Sequence, residues 1–140
     1  MKRILGIIVI AILVIFIAII GFNMINANKM VLSDIQEIEN DENIDFKVTK
    51  VNNKSLTLRI TNNLESDISY DMVYEIQKYL NGKWYKYIKE IYFIQTIQTI
   101  SSKSFEDLDI IYSTIYSLDK GKYRIIKYVD SKIMSAEFEI

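Results

Sequence analysis

Three groups of residues in this 140-residue chain have types and spacings that chemistry could use. Ser117 and Lys120 form Ser-x-x-Lys, the spacing by which a lysine on the same helical turn helps to deprotonate a serine nucleophile. Here the tetrapeptide runs into Gly121 and a string of strand formers, and neither Ser-Asp-Asn nor Lys-Thr-Gly accompanies it. Asp41, Asn43 and Asp45 spell Asp-x-Asn-x-Asp, the start of an EF-hand calcium loop. Such a loop needs glycine at its sixth position and glutamate at its twelfth, where this chain has Phe46 and Asn52. Glu106, Asp107 and Asp109 bring carboxylates together, but on a strand Asp107 and Asp109 share one face, which the alternation makes the solvent side. With no histidine, no cysteine and no glycine-rich phosphate loop, the expectation is no catalytic residue, no metal, no cofactor and no enzyme.

A fourth group offers binding rather than catalysis. Tyr79, Trp84, Tyr85 and Tyr87 are interleaved with Lys78, Lys83, Lys86 and Lys89 across an Asn81-Gly82 dipeptide. Aromatic faces flanked by ammonium groups can stack on sugar rings or bases, with the lysines on phosphate. The same residues also suit a hairpin, because aromatics are good cross-strand partners and lysines protect edges. On a strand over 83–88, Trp84 and Ile88 share one face and Tyr85 and Tyr87 the other, so only one set can be core.

The elements that must position these groups follow from periodicity. Ile44, Phe46 and Val48 alternate with polar residues, as do Leu56, Leu58 and Ile60, then Tyr70, Met72, Tyr74 and Ile76, and finally Met134, Ala136, Phe138 and Ile140. A period of two means one buried and one solvated face, the pattern of antiparallel sheets. Asn52-Asn53, Asn81-Gly82, residues 101–104 and Asp130-Ser131 punctuate the runs, and Asn-Gly favours a two-residue hairpin turn. Short strands with turns every 8–12 residues predict an all-β sandwich over 44–140. Residues 88–117 alternate imperfectly, and a bulge or short helical turn is expected after Phe105.

Residues 4–22 contain no charge and no strongly polar group. As a helix this run would be about 28 Å long, close to the ~30 Å hydrocarbon core of a bilayer. Lys2 and Arg3 precede it, which keeps residues 1–3 in the cytoplasm and sends the remainder outside. The expectation is a single transmembrane helix over 4–25, in contact with the lipid bilayer. A cleaved signal peptide is the alternative; its apolar part is usually about 7–15 residues, and the candidate cleavage after Ala27 has the bulky Ile25 two positions earlier. A lipoprotein anchor is excluded for want of a cysteine. Residues 26–43 are polar and acidic with scattered apolar positions, and read as a stalk or linker. Without Lys2 and Arg3 the balance of Lys+Arg 17 against Asp+Glu 18 becomes 15 against 18, which does not suit nucleic acid.

Asp119-x-Gly121-x-Tyr123 matches the tyrosine-corner pattern at the entry to the sixth strand of immunoglobulin-like domains, with Ile125 where cysteine is usual. Together with residues 79–87 and 101–129, it makes the chain resemble the small bacterial Ig-like domains on surface proteins of Gram-positive bacteria. The pieces that carry the resemblance are Gly82-x-Trp84-Tyr85 and Leu118-x-x-Gly121-x-Tyr123-Arg124-Ile125; the family's Pro-Gly turn is Ser101-Ser102 here. The resemblance implies an Ig-like sandwich module on an exported chain, with Asp119, Gly121 and Tyr123 as a structural corner whose phenol bonds to upstream backbone. The functional expectation is a membrane-anchored extracytoplasmic module that binds or supports another protein or component of the cell envelope, or serves as an accessory subunit there. The alternative is a secreted carbohydrate- or polymer-binding module that uses the aromatic hairpin.

Overall fold

A computed structural model describes residues 10–17, 29–89, 91–94 and 96–140. Ten strands form two antiparallel sheets. The larger sheet contains β1 (Met30–Leu32), β4 (Ile68–Asp71), β5 (Glu75–Leu80), β6 (Lys83–Tyr87), β7 (Ile97–Ile100), β9 (Lys122–Val129) and β10 (Lys132–Glu139). Its spatial order is β1-β6-β5-β9-β4-β7, with β10 on the other side of β9. The smaller sheet is β2 (Ile44–Val51), β3 (Leu56–Asn62) and β8 (Phe105–Ile110), in the order β2-β3-β8. A short helical turn, Tyr112–Thr114, follows β8.

The alternation of the sequence becomes the two inner faces. Leu56, Leu58 and Ile60 of β3, with Ile44 and Phe46 of β2, pack against Ile76, Tyr123, Ile125 and Val129 of the larger sheet. Met134, Ala136 and Phe138 of β10 join the same core, and the Phe138 ring stacks on Tyr123 with centroids 5.6 Å apart. Asn81-Gly82 and Asp130-Ser131 both have positive φ at their two residues, as two-residue hairpin turns require. Asn62, which the alternation does not single out, is buried. Its amide reaches the carbonyls of Ser66, Ile100 and Ser101, and its Oδ1 accepts from the Leu64 amide, so it ties two loops together.

Two readings of the sequence are corrected here. The alternating run from Tyr70 to Ile76 is not one strand: β4 and β5 lie end to end along β9 and are broken at residues 72–74. The break is held by the Asp71 side chain, which accepts from the Val73 amide at 3.0 Å, and by Lys127, buried on the inner face of β9. Its ammonium bonds the carbonyls of Asp71 and Val73, which the break turns away from the ladder. Burial pushes the Lys127 ammonium down to about 8, with the nearby Asp71 carboxylate acting against it.

Residues 26–43 are likewise no free stalk where they are described. Residues 30–32 are β1, paired antiparallel with β6 in the register Met30↔Tyr87 and Leu32↔Tyr85. Past β1 the chain crosses the outer face of the larger sheet, where Asn40 exchanges two hydrogen bonds with the backbone of Ser135. The sandwich therefore begins at β1 and not at residue 44.

Of the expected membrane helix over 4–25, residues 10–17 are helical and the rest lie outside the described residues. Among the described residues no helix is long and apolar enough to cross a membrane.

Gly121 has φ +156°, and a Cβ there would sit 3.2 Å from Lys78 Cε. Gly82 has φ +81° with open space around it. Gly121→Ala is therefore expected to cost about 2–3 kcal/mol and Gly82→Ala about 1 kcal/mol. Urea unfolding of the two variants checks the order; equal losses would contradict the crowding at Gly121.

Candidate functional site

The corner residues come together at the start of β9. Tyr123 is fully buried, and its hydroxyl lies 2.8 Å from both the carbonyl oxygen and the Oδ1 of Asp119, to either of which it can donate. Lys78 donates to the same carboxylate, and its Nζ lies 5.4 Å from the centre of the Tyr123 ring. These donors, Lys78 first, hold the Asp119 carboxyl below its usual range, while burial and then the carboxylate push the Tyr123 phenol up. Both shifts favour a charged carboxylate beside a neutral phenol. Gly121 closes the corner by exchanging backbone hydrogen bonds with Ile140, 3.1 Å each way.

The other candidates are dispersed. Ser117 and Lys120 are exposed and not on a helix, and among the described residues no hydrogen bond joins them. Asp41 accepts from Lys132 and from the Asn43 amide, whereas Asp45 pairs with Lys47 on β2. Asp107 forms a two-pronged pair with Arg59, and Asp109 accepts from Thr57 Oγ1. Glu106 points the other way, toward the phenol of Tyr70, which burial and then Glu106 push up. These carboxylates serve separate local contacts. Among the described residues no three His, Cys, Asp or Glu side chains are grouped as metal ligands.

The aromatic hairpin is not one platform. Trp84 is 7 % exposed and Tyr87 9 %, on opposite faces of β6. Tyr87 belongs to the inner core, edge-on to Tyr116 with centroids 5.3 Å apart. Trp84 lies on the outer face against Tyr79, with centroids 4.9 Å apart. Tyr79 is partly exposed and Tyr85 half-buried on the inner side. Tyr79 and Trp84 share the outer face, but Trp84 is covered, so a flat ligand finds only Tyr79 there.

What covers Trp84 is the feature that the sequence did not disclose. Arg124 is 3 % exposed and sits on the outer face of β9, its guanidinium carbon 4.3 Å from the centre of the Trp84 ring. Its Nε and Nη2 both donate to Gln77 Oε1, at 2.9 and 2.5 Å. Nη2 also reaches the Ile35 carbonyl at 2.5 Å, and Nη1 the Gln36 carbonyl at 3.2 Å. Gln77 passes the connection on, donating to Ser33 Oγ at 2.8 Å. Gln36 completes it, since Nε2 donates to the Trp84 carbonyl and Oε1 accepts from the Trp84 amide at 3.0 Å.

Burial lowers the Arg124 pKa, yet a guanidinium remains charged at any physiological pH. The result is a clasp, a buried cation held between an aromatic face and backbone carbonyls, that fixes residues 33–36 on the sheet. The available signal was the pair Trp84 and Arg124, each the distinctive residue of one motif quoted above, lying one strand apart across β5.

Two packed antiparallel sheets and a tyrosine corner define an Ig-like β-sandwich. The bacterial Ig-like domain family matches residues 36–139, and the chain belongs to that family. Comparison with curated proteins gives no match.

Arg124→Leu strands the Ile35 and Gln36 carbonyls and Gln77 Oε1, and is expected to cost about 2–4 kcal/mol. Arg59→Leu, which breaks an exposed pair with Asp107, is expected to cost less than about 1 kcal/mol. Hydrogen exchange should quicken at the Ser33 amide, which bonds the Trp84 carbonyl, and at the Ile88 amide, which bonds Lys29. If Ser33 stays protected in Arg124→Leu, the clasp does not hold the segment.

Proposed function

We propose that the chain is a non-catalytic Ig-like module held at the outer face of a membrane by residues 4–25, where it binds or supports an envelope partner or serves as an accessory subunit. The observation that carries this reading is the order of the elements. An uncharged apolar run follows two basic residues, and a family domain whose folded part starts at β1 comes immediately after. Residues 26–29 are all that separates the expected helix over 4–25 from β1, and four residues reach at most about 14 Å. A module on so short a tether is suited to work beside the bilayer, not far from it.

No chemistry is assigned to the sandwich. Its carboxylates are dispersed, and among the described residues no hydrogen bond joins the exposed Ser117 and Lys120. The secreted polymer-binding alternative draws no support from the hairpin, because Trp84 and Tyr87 are buried on opposite faces.

Intact mass of the protein from carbonate-washed membranes tests the reading. The expected result is a full-length chain that resists extraction. A mature N-terminus near Asn28, or release by carbonate, would overturn it.

A further inference from the structure

We propose that the loop between β6 and β7 is a lipid-contact surface, with Ile88, Tyr92 and Ile94 seated in the interface of the bilayer to which the chain is anchored. The inference rests on the anchored reading above and adds the orientation of the sandwich and the side chains that touch lipid.

The loop presents apolar groups outward by construction. Ile91 and Phe93 pack inward, Phe93 edge-on to Tyr74 with centroids 5.2 Å apart. The residues between and after them are turned out: Tyr92 is 89 % exposed and Ile94 81 %. Ile88, at the start of the loop, is 50 % exposed, and Lys89 pins that start by donating to the Ile115 carbonyl. Large apolar side chains grouped in this way mark an interaction surface, and tyrosine with isoleucine suits the headgroup boundary.

The partner is set by where the chain enters the fold. The Ile88 amide donates to the Lys29 carbonyl at 2.9 Å, so the loop begins beside the last residue before β1. β1 is paired with β6 along its whole length, which leaves residues 26–29 as the tether. If residues 4–25 span, this edge of the sandwich stands within about 14 Å of the bilayer. Val31 and Leu32 of β1 add exposed apolar surface on the same edge, and the exposed Lys29 supplies a cation at headgroup level. The opposite edge, formed by β2 and β10, points away.

The chain has no cysteine, so single-cysteine spin labels report cleanly. Ile88→Cys, Ile94→Cys and, on β2, Val51→Cys are labelled in the full chain and reconstituted in phosphatidylglycerol–phosphatidylcholine vesicles. Accessibility to oxygen relative to a water-soluble nickel chelate should be roughly threefold higher at 88 and 94 than at 51, as for side chains about 5–10 Å below the headgroups. If the protein stays with carbonate-washed vesicles and all three labels read as aqueous, the lipid surface is overturned and the anchor stands. If the protein leaves the vesicles, the anchor fails and the lipid surface fails with it.

Discussion

The buried guanidinium of Arg124 is the contact on which the arrangement of this chain depends. A cation that is 3 % exposed must have its donors satisfied, and here it finds them in Gln77 and in two carbonyls of a segment 88 and 89 residues away in sequence. The Trp84 face supplies a further attraction that water does not compete for. That segment also lies over the outer face of β9, where Arg124 and Ile126 are buried as well as the inner-face residues. Without the cover, β9 would place a charge and an isoleucine in water and lose what fixes the entry of the chain. The inner corner at Tyr123 and the outer clasp at Arg124 are adjacent residues of one strand facing opposite ways. One short stretch of β9 therefore organises both layers around it.

Much of the sandwich was legible because its strands obey a simple rule. β2, β3 and β10 alternate cleanly, and Asn81-Gly82 could hardly be anything but a turn, so the residues that form the core could be read directly. The illegible parts share one cause, a buried polar residue that acts over long range. Lys127 helps to hold a strand break by taking carbonyls that periodicity alone would give to the ladder. Arg124 and Gln77 order a segment whose own composition, acidic with scattered apolar positions, describes a spacer. Pattern reading finds faces, whereas these residues are defined by partners 44 to 89 positions away.

The candidate sites divide along the same line. Asp119, Gly121 and Tyr123 lie within five residues and their geometry is local, so the motif describes it well. The opposite faces of Trp84 and Tyr87 were legible from their spacing, but not that both faces would be packed. Each is core, one to the interior of the sandwich and one to the clasp. An aromatic-rich hairpin in a sheet covered on both sides is packing.

The central claim is that the segment before the sandwich is part of it, so that an anchored chain carries its domain directly on the bilayer. Neutron reflectometry of the full chain in a supported bilayer measures this most directly. The account predicts protein density that begins at the headgroups, within the roughly 14 Å that residues 26–29 can span. A water-filled layer thicker than that between the headgroups and the protein would contradict it.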